Sequence, residues 1–160
     1  MTKEDSSKVC CFTGHRHIHE TAELNYKLHE AIGDAITHEN MQTFMSGMAL
    51  GFDMLAAETV LSFKKVYPQI ALHCILPCQT QDKYFSVADK KRYRDILSLA
   101  DKVVYTSEDY SPWCMHVRND YLVDNGDLVL AYLINNRGGT FYTVSRAVKK
   151  GIPIKNLALS

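Results

Sequence analysis

Three stretches of this chain run from apolar residues through a glycine turn into a helical pattern. They are Val9-Cys10-Cys11-Phe12-Thr13-Gly14-His15-Arg16, Thr43-Phe44-Met45-Ser46-Gly47-Met48-Ala49-Leu50-Gly51-Phe52-Asp53, and Leu128–Leu133 followed by Gly138-Gly139-Thr140. Glycine lets backbone amides approach a ligand closely, and the amides of a helix's first turn have no partner within the helix, so they attract anions. On parallel strands, all three turns would share the carboxyl edge of one sheet, where open α/β sheets bind ligands. The chemistry implied is the binding of a phosphate or nucleotide, with the backbone as the principal donor.

Each turn adds its own functional groups. Gly47 and Gly51 are four residues apart, a spacing that belongs to neither the dinucleotide fingerprint nor the Walker loop. Asp53 has two readings: its carboxylate accepts from a ribose hydroxyl, or it caps the next helix, which is worth ~1 kcal/mol. Met48, Leu50 and Phe52 read as packing residues. Gly138, Gly139 and Thr140 offer amides and a hydroxyl at a helix start. An anion at an exposed helix start gains only ~0.3–1 kcal/mol, so sugar and base contacts must add to it. Thr13, Gly14 and Arg16 place a hydroxyl, an amide and a forked guanidinium directly after the first strand. Arg118 and Asn119 are adjacent, so on a helix they point about 100° apart and do not form an evident pair. Trp113, the single tryptophan, lies in the preceding loop as either a base-stacking ring or a loop anchor.

The elements that must carry these turns alternate. Apolar runs at Val9–Thr13, Thr43–Ser46, Ile70–Leu76, Lys102–Tyr105, Leu128–Leu133 and Ile152–Leu157 read as strands. Leu24, Leu28, Ala31, Ile32, Ala35 and Ile36 recur at three- and four-residue steps, which marks an amphipathic helix. Further helices are expected over residues 53–66, Asp89–Ala100, Met115–Asp124 and Thr140–Lys150, the last closed by Gly151. Such alternation specifies an α/β fold, a Rossmann-like three-layer sandwich with a mainly parallel sheet and helices on both faces.

Composition narrows the classes. At 160 residues the chain has the length of one domain, expected over residues 1–160 with 1–8 flexible. The 18 basic and 18 acidic residues balance, so no net field draws the protein to nucleic acid or a membrane surface. No apolar run reaches the ~20 residues needed to span a bilayer, and the polar N-terminus has no signal core. Five cysteines, with Cys10, Cys11 and Cys74 in apolar runs, suit reduced thiols in the cytoplasm.

Taken in order, four motifs resemble the YpsA/YoqJ-like family of the SLOG superfamily. They are Thr13-Gly14-His15-Arg16, the run from Ser46-Gly47 through Gly51-Phe52-Asp53 to Ala56-Ala57-Glu58, Arg118-Asn119, and Gly138-Gly139-Thr140-Phe141-Tyr142-Thr143-Val144. The superfamily's other branches include the DNA-processing protein DprA and the Lonely Guy phosphoribohydrolases. The resemblance spans Val9 to Leu157. It implies a Rossmann-like fold with a nucleotide-type ligand at the glycine loops, and it adds Ser46, Arg118 and Asn119 to the ligand-binding set. It also implies a binding or sensing role, since this branch has no established reaction. Lonely Guy enzymes place catalytic glutamates two or three residues after their glycine–threonine loop. Here Phe141, Tyr142 and Thr143 follow Gly139-Thr140, so that acid is missing. Glu58 sits elsewhere, five residues past Asp53 on the second helix; it is the one candidate acid for the cleft, but the family's catalytic role is not carried onto it, and no catalytic residue is assigned.

Other chemistry is less supported. His15, His17 and His19 alternate near Cys10 and Cys11, but the chain has no CxxC pair, and no metal is expected. Lys90-Lys91-Arg92-Tyr93-Arg94 is interleaved with Asp89 and Asp95, which favours a solvated helix face over a nucleic-acid surface. The expectation is a cytoplasmic protein that binds a nucleoside phosphate, ADP-ribose or NAD-type molecule, with no certain cofactor. The alternatives are a nucleotide N-glycosidase of the phosphoribohydrolase kind and a DprA-like DNA-binding module. Related folds pair through helices, so a homo-oligomer is compatible.

Overall fold

The computed structural model describes residues 8–159; of the N-terminal stretch expected to be flexible, 1–7 lie outside it. Lys8 opens the first strand rather than belonging to a tail. Six strands alternate with five helices: β1 Lys8–Gly14, α1 Ala22–Thr37, β2 Met41–Ser46, α2 Phe52–Lys64, β3 Ala71–Leu76, α3 Val87–Leu99, β4 Lys102–Tyr105, α4 Cys114–Asp124, β5 Leu128–Tyr132, α5 Gly138–Lys150 and β6 Ile154–Asn156. All strand pairs are parallel, in the order β4-β3-β2-β1-β5-β6.

Period-two alternation sends neighbouring strand residues to opposite faces. Cys10, Phe12, Phe44, Leu72 and Leu130 pack with α1, α2 and α3 on one side. Cys11, Met45, Ile75, Val129 and Ala131 pack with α4 and α5 on the other. Burial of both faces explains why the inner strands read as largely apolar runs, while the edge strands β4 and β6 stay partly exposed. Phe12 anchors the larger core, stacked on Phe44 at 6.1 Å and edge-on to Phe52 at 6.4 Å. Each such fully buried side chain contributes roughly 1.5–3 kcal/mol.

Local signals set the helix ends. Thr21 Oγ1 accepts from the Leu24 amide at 3.1 Å and Ser86 Oγ from that of Asp89 at 3.1 Å, starting α1 and α3. Gly151, at φ 73°, closes α5 as expected. Helix α3 starts at Val87, two residues before the expected Asp89, and α4 at Cys114, one before Met115; two further starts bear on the site. Gly51 is the N-cap of α2, so Asp53 sits inside the first turn and does not cap. Helix α5 begins at Gly138, two residues early, because both glycines join its first turn.

The chain builds outward from β1 through β2, β3 and β4, then crosses to β5 on the other side of β1. This reversal opens a crevice above the carboxyl ends of β1 and β5, the position where ligands enter open α/β sheets.

Candidate functional site

A cleft of about 480 Å³ lies over that switch point. Four segments wall it: Thr13–His17 after β1, the start of α2 at Ala49 and Asp53, the inner side of α4 at Met115, His116, Arg118 and Asn119, and Ile134–Thr140 leading into α5. Of the sequence-derived binding residues, Thr13, Gly14, Arg16, Asp53, Arg118, Asn119, Gly138, Gly139 and Thr140 meet here. Ser46, Gly47 and Gly51 do not line the cleft.

Those three build the floor beneath it. Ser46 is fully buried; its hydroxyl donates to the Asp53 carbonyl at 2.8 Å and accepts the Met48 amide at 3.2 Å. This bond ties the end of β2 to the first turn of α2. Gly51 takes φ 81°, and a Cβ there would overlap the Arg16 carbonyl oxygen, so the β1 and β2 loops touch backbone to backbone. The Phe52 amide donates to the His15 carbonyl at 3.2 Å across the same contact. A Cβ at Gly47 would lie 2.6 Å from Arg118 Nη1, so that glycine makes room for the guanidinium.

Arg118 is buried and uses its donors within the protein. Nη1 reaches the Gly47 carbonyl at 2.5 Å and Gln81 Oε1 at 3.3 Å, and Nε reaches Asn119 Oδ1 at 2.8 Å. The side chains of Arg118 and Asn119 are therefore a pair, contrary to the expectation from their 100° separation. A long guanidinium folds back across its own helix, which Cβ directions do not reveal. Asn119 then turns its amide nitrogen toward Gly139, 3.6 Å from where a Cβ would stand.

Asp53 is the unusual group. Only 5% of it is exposed, and its Oδ1 is buried with no hydrogen-bond partner. Burial pushes its pKa from the usual 3.8 up to about 7, against the opposing pull of Arg118, Arg16 and the amides of Ala49 and Gly14. Arg118 acts on it through space, because its guanidinium protons go to other acceptors. An unmatched buried acceptor costs about 1–3 kcal/mol, and Asp53 is one of the residues that line the cleft.

Across the cleft, α5 has the opposite dressing. Its N-cap Arg137 supplies no side-chain cap, and its first turn carries no acid. The first-turn amides of Gly138, Gly139 and Thr140 thus meet the cleft with the positive end of the helix dipole. Arg16 and Arg137 line the same cleft with exposed side chains. His15 braces the two loops: its Nε2 accepts the Ile134 amide at 2.9 Å, and burial lowers its pKa. That bond occupies one nitrogen of the first histidine in the alternating trio. Among the described residues, no three His, Cys, Asp or Glu side chains group as a metal site.

Glu58 is not in the cleft. It pairs with Arg92 Nε at 2.9 Å on the far side of α2, beside a groove of about 720 Å³ between α2 and α3 that is lined by Leu61, Ile96 and Leu99. The basic stretch is equally engaged: Lys91 with Asp95, Arg92 with Glu58 and Glu20, Arg94 with Asp82. Trp113 is 68% exposed at the start of α4, so it does not anchor its loop.

The comparisons with known proteins agree with this architecture. The uncharacterized SPbeta prophage-derived protein YoqJ of Bacillus subtilis is 31% identical over 139 residues, covering 79% of this chain and 81% of YoqJ. A UPF0398 protein of Halalkalibacterium halodurans is 32% identical over 119 residues, 72% of this chain but 63% of that protein, so the chain spans less than two thirds of it. Among solved structures, DNA processing protein A from Streptococcus pneumoniae matches with a TM-score of 0.66 at 15% identity, covering 92% of this chain and 49% of that one. The molybdenum cofactor binding protein from Rippkaea orientalis matches with a TM-score of 0.58 at 19% identity, over 93% of this chain and 75% of that one. At such identities the structural likenesses establish the fold alone. A model of the YspA SLOG family, YpsA, matches residues 10–155, and the chain belongs to that family.

Proposed function

We propose that the cleft over β1 and β5 binds a nucleotide or nucleotide-derived molecule, such as a nucleoside phosphate, ADP-ribose or an NAD-type dinucleotide, and that the protein works as a cytoplasmic sensor or binding protein. One observation carries this reading: Asp53, whose buried Oδ1 has no partner, lines the same cleft as the N-terminus of α5, which has no side-chain cap. An anion satisfies the amides of Gly138, Gly139 and Thr140 and the charge of Arg16. A hydroxyl donor satisfies Asp53. A phosphorylated ribose carries both groups on one small scaffold. Asn119, held by Arg118, adds an amide donor beside Gly139.

Five free, buried cysteines support a reducing compartment, and no helix among the described residues is long and apolar enough to cross a membrane. A binding role is favoured over nucleotide N-glycosidase activity because Glu58 is turned away and committed to Arg92. DNA binding of the kind named for the Helicobacter pylori DprA neighbour receives less support, since the basic stretch on α3 is largely ion-paired.

The test is thermal unfolding against AMP, GMP, ADP-ribose, NAD, cyclic nucleotides, molybdenum cofactor and single-stranded DNA, with free base assayed in parallel. A ligand at 100 times its dissociation constant stabilises by about 2.7 kcal/mol, a midpoint rise of very roughly 5–11 °C for a domain of this size. A rise that disappears in Asp53→Asn, without base release, is the expected result. No rise with any nucleotide overturns the reading, and base release replaces it with the glycosidase.

A further inference from the structure

One residue of the cleft lining, His116, belongs to a run of aromatic rings that the phosphate and ribose contacts leave unused. His116 lines the cleft and stacks on Tyr142, with centroids 4.3 Å apart and planes 12° from parallel. Tyr142 is itself fixed, because its hydroxyl donates to Asp120 Oδ1 at 2.7 Å. Trp113 stands one helical turn before His116, its ring centroid 6.4 Å away and tilted by 55°. The three rings are contiguous, and His116 joins them to the cleft that the first turn of α5 also lines.

Trp113 is costly where it stands. It occupies the N-cap of α4, where serine, threonine, aspartate or asparagine would bond a first-turn amide, and it makes no such bond. Nor does it pack into either core, being 68% exposed. Its backbone is nevertheless held, with the amide donating to Ser111 Oγ at 3.3 Å. A large apolar ring that weakens its own helix start and buries little surface in the fold is placed for a contact outside the protein.

We propose that the shelf made by Trp113 and His116 receives the planar base of the bound nucleotide by stacking. This rests on the nucleotide reading of the cleft and extends it from phosphate and ribose to the base. Stacking tolerates any base, because every base presents a π-face, and the larger face of a purine gains more. The shelf therefore distinguishes a nucleotide from a sugar phosphate, and purines from pyrimidines by degree.

Trp113 is the only tryptophan in the chain, so emission excited selectively from tryptophan, at wavelengths beyond tyrosine absorption, reports on this ring alone. Wild type, Trp113→Ala and Trp113→Phe are titrated with AMP, GMP, ADP-ribose and ribose 5-phosphate, with calorimetry for affinity and emission for contact. In wild type, the base-bearing ligands quench Trp113 saturably and bind about 5- to 150-fold more tightly than ribose 5-phosphate. In Trp113→Ala that ratio collapses toward one, and Trp113→Phe retains part of it. Because the ring is exposed, both variants keep the wild-type unfolding midpoint, which separates lost stacking from lost fold. A ratio unchanged in Trp113→Ala, or ribose 5-phosphate binding as tightly as AMP to wild type, overturns the stacking role and leaves the phosphate and ribose contacts standing. Failure of all four ligands to bind wild type overturns the nucleotide reading and the stacking role with it.

Discussion

Asp53 makes the protein's stability depend on pH in a predictable direction. Its carboxyl has an ordinary pKa of 3.8 in the unfolded chain and about 7 in the fold, because burial disfavours the charge more than Arg118 and Arg16 favour it. The folded state therefore holds this proton more tightly, and stability is greatest below pH 3.8 and is lost as pH rises through about 7. A tenfold change in proton affinity is worth about 1.36 kcal/mol, so the full loss is roughly 4 kcal/mol. Roughly 2.5 kcal/mol of it falls between about pH 5 and pH 8. Asp53→Asn keeps the shape and removes the titration. The variant should gain on wild type by that amount between the two pH values, measured as the change in the free-energy gap from urea unfolding. At the alkaline end it should be the more stable protein while no longer binding ligand, a trade-off expected where a strained group serves function. A gap that stays constant with pH, or moves the other way, would refute the claim that burial raises the pKa of Asp53.

Four other changes test neighbouring parts of the argument. Gly51→Ala forces a left-handed backbone on alanine and overlaps the Arg16 carbonyl, so it should destabilise by at least about 1–3 kcal/mol in urea unfolding. Arg118→Ala strips the Gly47 carbonyl, Gln81 and Asn119 of a charged donor and should lower stability by about 3 kcal/mol or more; a near-neutral effect would sink its structural role. Glu58→Ala removes a partly exposed ion pair worth about 0–1 kcal/mol and should leave nucleotide affinity unchanged, whereas lost binding would move the site away from β1 and β5. A ligand hydroxyl bonded to the Asp53 carboxylate lowers its pKa, so binding near pH 7 should release protons. Calorimetry in two buffers of different ionisation enthalpy reads that release, and its absence would remove Asp53 from the contact.

The elements were legible where physics is local. Strands buried on both faces leave short apolar runs, and Gly151, Thr21 and Ser86 punctuate the helices in ways that need no tertiary information. The convergence of Thr13, Asp53 and Thr140 was legible because parallel strands bring their following turns to one edge. What escaped depends on distant partners. Ser46 reads as a loop residue until Asp53 and Met48 are seen to close on its hydroxyl. Arg118 and Asn119 read as diverging until the guanidinium folds back. Glu58 reads as a cleft acid until α3 brings Arg92 against it. The burial of Asp53 did leave a trace. It stands alone among Phe52, Met54, Leu55, Ala56 and Ala57, and a single carboxylate amid apolar neighbours on every helical face has nowhere to go but inside.

Two helix starts meet in this cleft, and on the proposed reading their difference would give it selectivity. Helix α2 carries its acid within the first turn, where the dipole favours a carboxylate; helix α5 carries only glycines and a threonine. A site made of two bare helix starts and arginines would take any small anion. Asp53 prevents that, because an anion lacking a donor leaves its Oδ1 unmatched and, once ionised, brings a second negative charge beside it. Sulfate, which keeps no proton near neutral pH, would satisfy one wall of the cleft and be opposed by the other. A phosphorylated ribose would answer both, which is why one buried carboxylate in an otherwise cationic cleft argues for a ligand that carries a hydroxyl donor beside its charge rather than for a proton-free anion.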